Sequence, residues 1–390
     1  MNDTAWRSEL ERLKAAGLYR SLRRVESIQG PVIEVDGQRL LQFASNNYLD
    51  LASHPRLISA AQEAAHYFGT SAAASALICG HMGVHADLEA ALAEFKRAEA
   101  ALVLGSGYLA NQALLTTLVG AGDAMFSDAL NHASIIDGCR LSRAAVHVYP
   151  HRDVAALERL LRDTPCTRRL IVTDGLFSMD GDIAPLGEIC RLAETYDATV
   201  VVDDAHATGV LGEDGRGTLA HFGLPGDRAI TMGTLGKALG GYGAFITGPR
   251  AAIDLVINRA RSFIYSTALP PPVVVAARVA VQMVATEPTR LHRLRDRVAY
   301  LRAGLGRLGI PLPADATPII PLVIGDAGAA TNLSQALLED QVWVPAIRPP
   351  TVPAGASRLR LSLTAGHNEG QIDYLLACLG RHGVAERCAR

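Results

Sequence analysis

From residue 55 to residue 264, helical periods of apolar residues alternate with short, continuously apolar runs. The runs cover residues 101–104, 170–173, 199–202 and 229–232, and three of the four are rich in β-branched residues. Strands that are apolar at every position are buried on both faces, which is typical of a parallel sheet covered by helices. The pattern therefore predicts an α/β fold whose large domain is built on a mostly parallel sheet.

The two ends of the chain have different patterns. A charged helical pattern over residues 8–24 precedes an extended stretch, 32–37, whose Asp-Gly pair predicts a tight turn. After a helical region at 270–308, short strands (319–324, 343–344, 358–363) are mixed with helices (332–340, 371–379), so a smaller α+β C-terminal domain is expected. We predict an N-terminal arm at 1–50, a large domain at 51–285 and a small domain at 286–390.

Charge and cysteine content exclude several functional classes. The 390 residues carry 37 basic and 39 acidic side chains, which argues against nucleic acid or an anionic membrane as the partner. The uncharged segment 100–122 contains glycine, serine, asparagine and threonine, and is interpreted as buried globular structure. Six scattered cysteines without a C-x-x-C pair predict reduced thiols and no zinc site. With a polar N-terminus, this favours a cytoplasmic protein that acts on a small molecule.

The chain has only three lysines, Lys14, Lys96 and Lys237. The first two lie among charged neighbours and are expected on solvated helix faces. Lys237 is flanked by glycines and apolar residues in a loop after the strand at 229–232. Position alone leaves two readings open: an imine-forming amine, or a lysine that contacts phosphate or solvent.

Asp203 follows three valines at the end of a predicted buried strand, so its carboxylate is expected to face a cation. A turn or helix-capping aspartate is the alternative. A carboxylate that holds a pyridinium nitrogen protonated and a lysine that forms an imine are together what pyridoxal phosphate requires.

Two other segments fit the same cofactor. Residues 105–108 follow a strand and open a predicted helix, where backbone N–H groups can bind phosphate. The same residues match G-x-G-x-x-A, so an NAD-dependent oxidoreductase with Asp123 as the acidic partner is a rival reading. His132 offers a ring that could stack on a cofactor, although its position taken alone favours an ordinary histidine in a polar loop.

Residues 131–134, 177–182, 203–209, 234–237 and 347–353 resemble, in order and spacing, the α-oxoamine synthases. These fold-type I pyridoxal-phosphate enzymes join an amino acid to an acyl thioester with loss of CO2, and the resemblance runs from about residue 17 to 379. Residues 347–353 most resemble the biotin-pathway branch, which condenses L-alanine with a pimeloyl thioester carried on CoA or acyl carrier protein. A sister synthase using glycine or serine is the alternative, and a non-catalytic pyridoxal-binding regulator would need a further module that the sequence does not contain.

The resemblance implies roles for individual residues. Lys237 would carry the cofactor and later move the Cα proton, Asp203 would pair with the pyridine nitrogen, and His206 would hydrogen-bond the ring hydroxyl. His132 would stack on the ring and meet the substrate. The remaining cofactor-binding residues would be Gly107, Tyr108, Ser178 and Thr234. A homodimer is expected, with Thr234 reaching the phosphate of the other subunit.

The substrate-binding residues implied by the resemblance are Arg20, Asn46, His132, Arg348 and Thr351. Arg348 would clamp the amino-acid carboxylate as a two-pronged donor. Arg23 and Arg24 compete with Arg20 for its place. The chain departs from the family at residues 70–76, which are rich in alanine where a glycine-rich stretch is usual. A differently shaped or more helical loop is expected there, which leaves substrate choice open.

Overall fold

The computed structural model of the chain describes residues 3–388. Its helices are α1 (Asp3–Ala15), α2 (Pro55–Phe68), α3 (Gly83–Lys96), α4 (Gly107–Leu118), α5 (Ala133–Ser142), α6 (Val154–Asp163), α7 (Leu186–Thr195), α8 (Thr218–His221), α9 (Arg250–Arg259), α10 (Arg261–Ile264), α11 (Pro271–Thr286), α12 (Thr289–Arg307), α13 (Ala327–Glu339), α14 (Glu369–Arg381) and α15 (Val384–Arg387). Its strands are β1 (Val32–Val35), β2 (Gln38–Gln42), β3 (Ala100–Leu104), β4 (Ala124–Asp128), β5 (Ala145–Tyr149), β6 (Arg169–Asp174), β7 (Ala198–Asp203), β8 (Ile230–Thr234), β9 (Ala244–Gly248), β10 (Ile319–Gly325), β11 (Val342–Trp343), β12 (Ala346–Ile347) and β13 (Ser357–Ser362).

A seven-stranded sheet has the order β3-β9-β8-β7-β6-β4-β5. The strands from β8 to β5 pair in parallel, and β9 is antiparallel to both of its neighbours. One face is covered by a core that includes Leu114, Ile135 and Val256, and the other by a core that includes Leu157, Ile189 and Leu219. The predicted α/β class with a mostly parallel sheet is confirmed.

The chain divides into two compact units. One takes its described residues from Met1–Asn46, Met179–Gly181 and Arg293–Arg390, and the other consists of Asn47–Ser178 and Asp182–His292. The second unit holds the seven-stranded sheet, whereas the first holds two three-stranded sheets, β1-β2-β11 and β10-β13-β12. The three-part division made from the sequence stays a prediction.

Several predicted element bounds differ from the observed ones. The N-terminal helix ends at Ala15 rather than near residue 24, and the helical region at 270–308 is two helices, α11 and α12. The strands β4, β5 and β9 are not among those predicted from the sequence; each has five residues, and β4 and β5 include polar residues. Residues 100–122 form β3, α4 and the turn after them. Within residues 3–388, no helix combines the length and apolar character that crossing a bilayer requires.

Candidate active site

Polar side chains end four neighbouring strands of the large sheet. Asp128, Asp174, Asp203 and Thr234 are the last residues of β4, β6, β7 and β8. Because these strands are parallel, their carboxyl ends meet at one edge, where open α/β sheets bind ligands. The three aspartates are buried. A buried carboxylate requires hydrogen bonds or a cation, so this edge is the candidate active site.

Asp203 is anchored on both oxygens. Its Oδ2 accepts a hydrogen bond from Asn111 Nδ2 at 2.7 Å, and its Oδ1 accepts one from the Ala205 N–H at 2.9 Å. Asn111 lies on α4 and also donates to the Ser134 hydroxyl at 2.8 Å. Because these donors to Asp203 are neutral, its negative charge is held in place and remains available to a cation.

His132 caps the N-terminus of α5. Its Nδ1 accepts the Ser134 N–H at 3.2 Å and lies 2.7 Å from the Ser134 hydroxyl. Desolvation by the surrounding protein lowers the pKa of His132, the charge of Asp203 opposes this change, and the charge of Lys237 adds to it. The ring is therefore neutral near pH 7, and its exposed face is available for stacking.

Lys237 is half-buried in the loop between β8 and β9. Its carbonyl accepts the Gly240 N–H at 2.9 Å, and Leu235 is tied to Gly243 and Gly241 by backbone hydrogen bonds of 2.9 and 2.7 Å. The same two charges, those of Lys237 and Asp203, act on the pKa of His132. An amine, a carboxylate and an imidazole that the sequence places far apart therefore share one neighbourhood.

The N-terminus of α4 lies against Thr234. A Cβ on Gly107 would stand 2.9 Å from Thr234 Cγ2, so only glycine lets this helix end approach the strand so closely. The Thr234 hydroxyl donates to the Ala205 carbonyl at 3.3 Å. The first N–H groups of a helix have no intrahelical acceptor, and here they can bind an anion. Tyr108 is exposed and donates its hydroxyl proton to Asp137.

His206 and Ser178 are both buried in the same unit. His206 Nδ1 is hydrogen-bonded to the Tyr48 hydroxyl at 2.7 Å, which orients the ring. Ser178 directly follows Phe177, whose ring packs edge-on against His151 with 4.4 Å between centroids. Tyr48 and His151 had no recognisable signal in the sequence, since each acts through a partner far along the chain.

His151 joins the end of β4 to the loop that carries Ser178. Its Nδ1 lies 2.9 Å from an Asp128 oxygen, and its Nε2 lies 2.7 Å from an Asp182 oxygen. Burial disfavours its charged form, but the hydrogen bonds to Asp128 and Asp182 outweigh burial and raise the pKa of His151 to about 9. His151 is therefore an imidazolium near pH 7 and donates to both carboxylates.

We expect the stabilisation from His151 to depend on pH. Because its folded-state pKa lies above the ordinary value of 6.5, the contribution is complete below about pH 6.5 and is lost as the pH rises through about 9. The raised pKa corresponds to on the order of 3 kcal/mol. The free energy of unfolding of His151→Gln should fall below that of the wild type most strongly near pH 6, and the gap should narrow toward pH 9 to 10. A difference in the free energy of unfolding that stays constant with pH would contradict this prediction. His66→Gln, which changes an exposed histidine, is the control.

Apart from His132, the predicted substrate-binding residues lie in the other compact unit. Arg348 Nη1 donates to the Gly17 carbonyl, and Thr351 is exposed, with its N–H bonded to the Arg348 carbonyl at 3.0 Å. Asn46 Oδ1 accepts from both terminal nitrogens of the buried Arg360, each at 3.2 Å.

Arg20 is exposed in the segment after α1. Of its two competitors, Arg23 lies over the Trp343 ring at 5.9 Å and Arg24 pairs with Glu26 at 3.0 Å. Arg20 therefore stays the predicted substrate-binding arginine, with Arg23 and Arg24 as its competitors.

The alanine-rich segment is not an α-helix. Residues 71–74 lack regular structure, and Ala76–Gly80 forms a single π-helical turn. Ala73 has φ 57°, a left-handed conformation that glycine adopts without cost and alanine resists. Ala73 therefore has a backbone conformation typical of glycine although its side chain is a methyl group.

The expectation that Lys96 is solvated was wrong. Lys96 is buried and its Nζ lies 2.8 Å from Asp204 Oδ2, with side-chain exposures of 3% and 1%. It also donates to the Arg216 carbonyl at 2.5 Å. Its charged neighbours Glu94 and Arg97 predict a solvent-exposed helix face. Instead, the C-terminal end of α3 directs the Lys96 side chain toward the carboxylate of Asp204, 108 positions further along the chain.

The chain matches the family model for class I and II aminotransferases over residues 38–379. This match covers most of the chain. The chain belongs to the class I and II aminotransferase family. The α-oxoamine synthase resemblance inferred from the motifs is confirmed by curated members of this family.

Two such relatives are named 8-amino-7-oxononanoate synthase. The protein of Geobacter sulfurreducens is 49% identical over 378 residues, covering 96% of this chain and 97% of the relative. The protein of Anaeromyxobacter dehalogenans is 50% identical over 372 residues, covering 95% of this chain and 94% of the relative.

Solved structures of family members have the same fold. A serine palmitoyltransferase from S. paucimobilis, solved with a bound PLP–myriocin aldimine, is 31% identical with a TM-score of 0.92, and the match covers 98% of this chain and 97% of that one. An 8-amino-7-oxononanoate synthase from Francisella tularensis is 29% identical with a TM-score of 0.77, covering 89% of this chain and 98% of that one.

Proposed function

We propose that the chain is an 8-amino-7-oxononanoate synthase, a pyridoxal-phosphate-dependent acyltransferase of biotin biosynthesis. It condenses L-alanine with a pimeloyl thioester and releases CO2 and the free thiol. The observation that carries this is the convergence of Lys237, Asp203 and His132 at one sheet edge, in a chain that is 49% identical to a curated synthase along nearly its whole length.

The residues at this edge fit pyridoxal phosphate. A Cβ on Gly107 would collide with the Thr234 side chain, so the glycine lets the start of α4 pack against the end of β8, and the first N–H groups of this helix suit a phosphate. The anchored carboxylate of Asp203 suits the ring nitrogen, and the amine of Lys237 suits the aldehyde. His206 and Ser178 would complete the ring contacts, together with His132 on the ring face. When bound, the cofactor supplies an electron sink for the bond broken at the amino-acid Cα.

The chain's own residues then have separate tasks. The amine of Lys237 would accept the Cα proton of alanine, and the carboxylate of Asp203 would hold the ring nitrogen of the bound cofactor. Arg348 is proposed to bind the alanine carboxylate with its planar guanidinium. Arg20, Asn46 and Thr351 are proposed to contact the substrates.

Substrate choice tests the proposal directly. The purified chain, supplied with pyridoxal phosphate, is assayed by mass spectrometry with L-alanine, glycine or L-serine and with pimeloyl-CoA or palmitoyl-CoA. We expect product from L-alanine and pimeloyl-CoA, with kcat/KM for glycine lower by about 10–200-fold, the usual discrimination for one methyl group. A preference for L-serine with palmitoyl-CoA would instead support the sister reaction, which the structural similarity to serine palmitoyltransferase makes the second candidate. Pimeloyl-acyl carrier protein in place of pimeloyl-CoA identifies the carrier.

A homodimer in the cytoplasm completes the proposal. Large apolar side chains, among them Leu77, Ile78 and Tyr265, are exposed in the sheet-containing unit, and a second copy of the chain would cover them. All six cysteines lie within residues 3–388 and are free thiols, which supports a reducing compartment.

A further inference from the structure

A second buried carboxyl group lies beside Asp203, and the proposed mechanism does not use it. Asp174 ends β6 as Asp203 ends β7, and the two residues are paired in register across the parallel strands. They are only 3% and 5% exposed. Register-matched residues on adjacent strands project to the same face of a sheet, so the two carboxyl groups crowd together.

The surroundings of the two groups differ. Both oxygens of Asp203 accept hydrogen bonds, Oδ2 from Asn111 and Oδ1 from the Ala205 N–H. Asp174 Oδ1 is a buried oxygen that lacks a hydrogen-bond partner among residues 3–388. Two like charges in adjacent buried positions cannot both persist, so the environment assigns the charge to Asp203.

The balance of charges at Asp174 points the same way. Burial, then the charge of Asp203, raises the pKa of Asp174 well above its ordinary value, and Asp128 adds to the increase. The backbone N–H of His132 and the charge of Lys237 act in the opposite direction and are outweighed. These influences together favour the neutral form of Asp174, and the hydrogen bond from the His132 backbone opposes them.

We propose, on the basis of the proposed function, that Asp174 is a positioning residue that stays protonated and holds the backbone of His132 beside the cofactor. The neutral form of Asp174 also affects the amine of Lys237. An ionised Asp174 would attract the Lys237 ammonium and keep its proton in place, whereas a neutral acid leaves the amine able to accept a proton. Asp203 then remains the only anion of the pair.

Replacing Asp174 by asparagine tests whether its side chain acts as a neutral group or as an anion. Asp174→Asn keeps the shape, the neutrality and an acceptor for the His132 N–H, so turnover should stay within about threefold of the wild type. Asp174→Ala removes the acceptor and should lower kcat by roughly 10–100-fold through misplacement of His132. An Asp174→Asn variant as slow as Asp174→Ala would overturn the proposal.

Infrared difference spectroscopy provides a readout that does not depend on turnover. The spectrum of the full-length protein at neutral pH, recorded with and without pyridoxal phosphate, should contain the carbonyl band of a protonated carboxylic acid that disappears in Asp174→Asn. Asp123→Asn is the matched control: Asp123 is also buried, but its hydrogen bond to Arg168 lowers its pKa, so this variant should lose carboxylate bands only. Loss of carboxylate bands alone in Asp174→Asn would overturn the proposal. Failure to make product from L-alanine would instead count against the proposed function, because the infrared result does not require catalysis.

Discussion

Replacing Lys237 by alanine is expected to lower turnover by about 10³-fold or more while the chain remains folded. The amine is asked both to hold the cofactor and to transfer the Cα proton, and positioned proton transfer alone contributes roughly 10²–10⁴-fold. Lys237 lies half-buried in the loop between β8 and β9, outside the packed cores on the two sheet faces, so the midpoint of thermal unfolding should change little. Steady-state kinetics and circular dichroism measure the two effects.

Lys14 is the matched control for this variant. It is exposed on α1 and ion-paired with Glu11 at 2.7 Å, so Lys14→Ala should keep full activity. Borohydride reduction in the presence of pyridoxal phosphate, followed by peptide mass spectrometry, should attach the cofactor to Lys237 in the wild type and in Lys14→Ala. Attachment to Lys14 or Lys96 in the wild type, or retained activity in Lys237→Ala, would refute the assignment of Lys237.

The strand ends carried most of the information that the sequence held about the site. Asp203 and Lys237 each follow a run of apolar residues that forms β7 or β8, and the parallel arrangement of those strands brings the strand ends to one edge. Local sequence is sufficient for this because apolar runs determine which strands are buried on both faces. Asp174 follows an equally apolar run, residues 170–172, so the same reasoning applied to β6 would have found it.

Other members of the site depend on contacts that no local pattern encodes. Asn111 is an amide inside an uncharged stretch, and only the packing of α4 on the sheet brings it to 2.7 Å from Asp203. His151 follows β5, an edge strand in which three of the five residues are exposed and which is not among the strands predicted from the sequence. In each case the partner lies at least 23 positions away in the chain, and the tertiary fold rather than residue propensity creates the contact.

Replacing Lys96 by methionine is expected to destabilise the folded chain by about 3–5 kcal/mol, because it leaves Asp204 buried without its cation. Asp204 also accepts hydrogen bonds from the Thr218 hydroxyl at 2.6 Å and the Thr218 N–H at 3.2 Å, which position its carboxylate but do not neutralise it. The free energy of unfolding in urea measures the loss.

A double variant distinguishes the unpaired charge from the lost packing of the lysine side chain. Lys96→Met combined with Asp204→Asn removes both charges and keeps an oxygen that can accept from Thr218, so it should recover most of the stability lost in the single variant. Lys14→Met, which changes an exposed lysine, should leave the unfolding midpoint unchanged. If Lys96→Met were as stable as Lys14→Met, the pair would contribute nothing, and the turn from Asp203 to His206 would not depend on it. If instead Lys96→Met is destabilised and the double variant is not, the buried ion pair holds Asp204 in place. Asp204 directly follows Asp203, whose carboxylate is proposed to hold the ring nitrogen, so the ion pair would then also fix the start of the turn from Asp203 to His206.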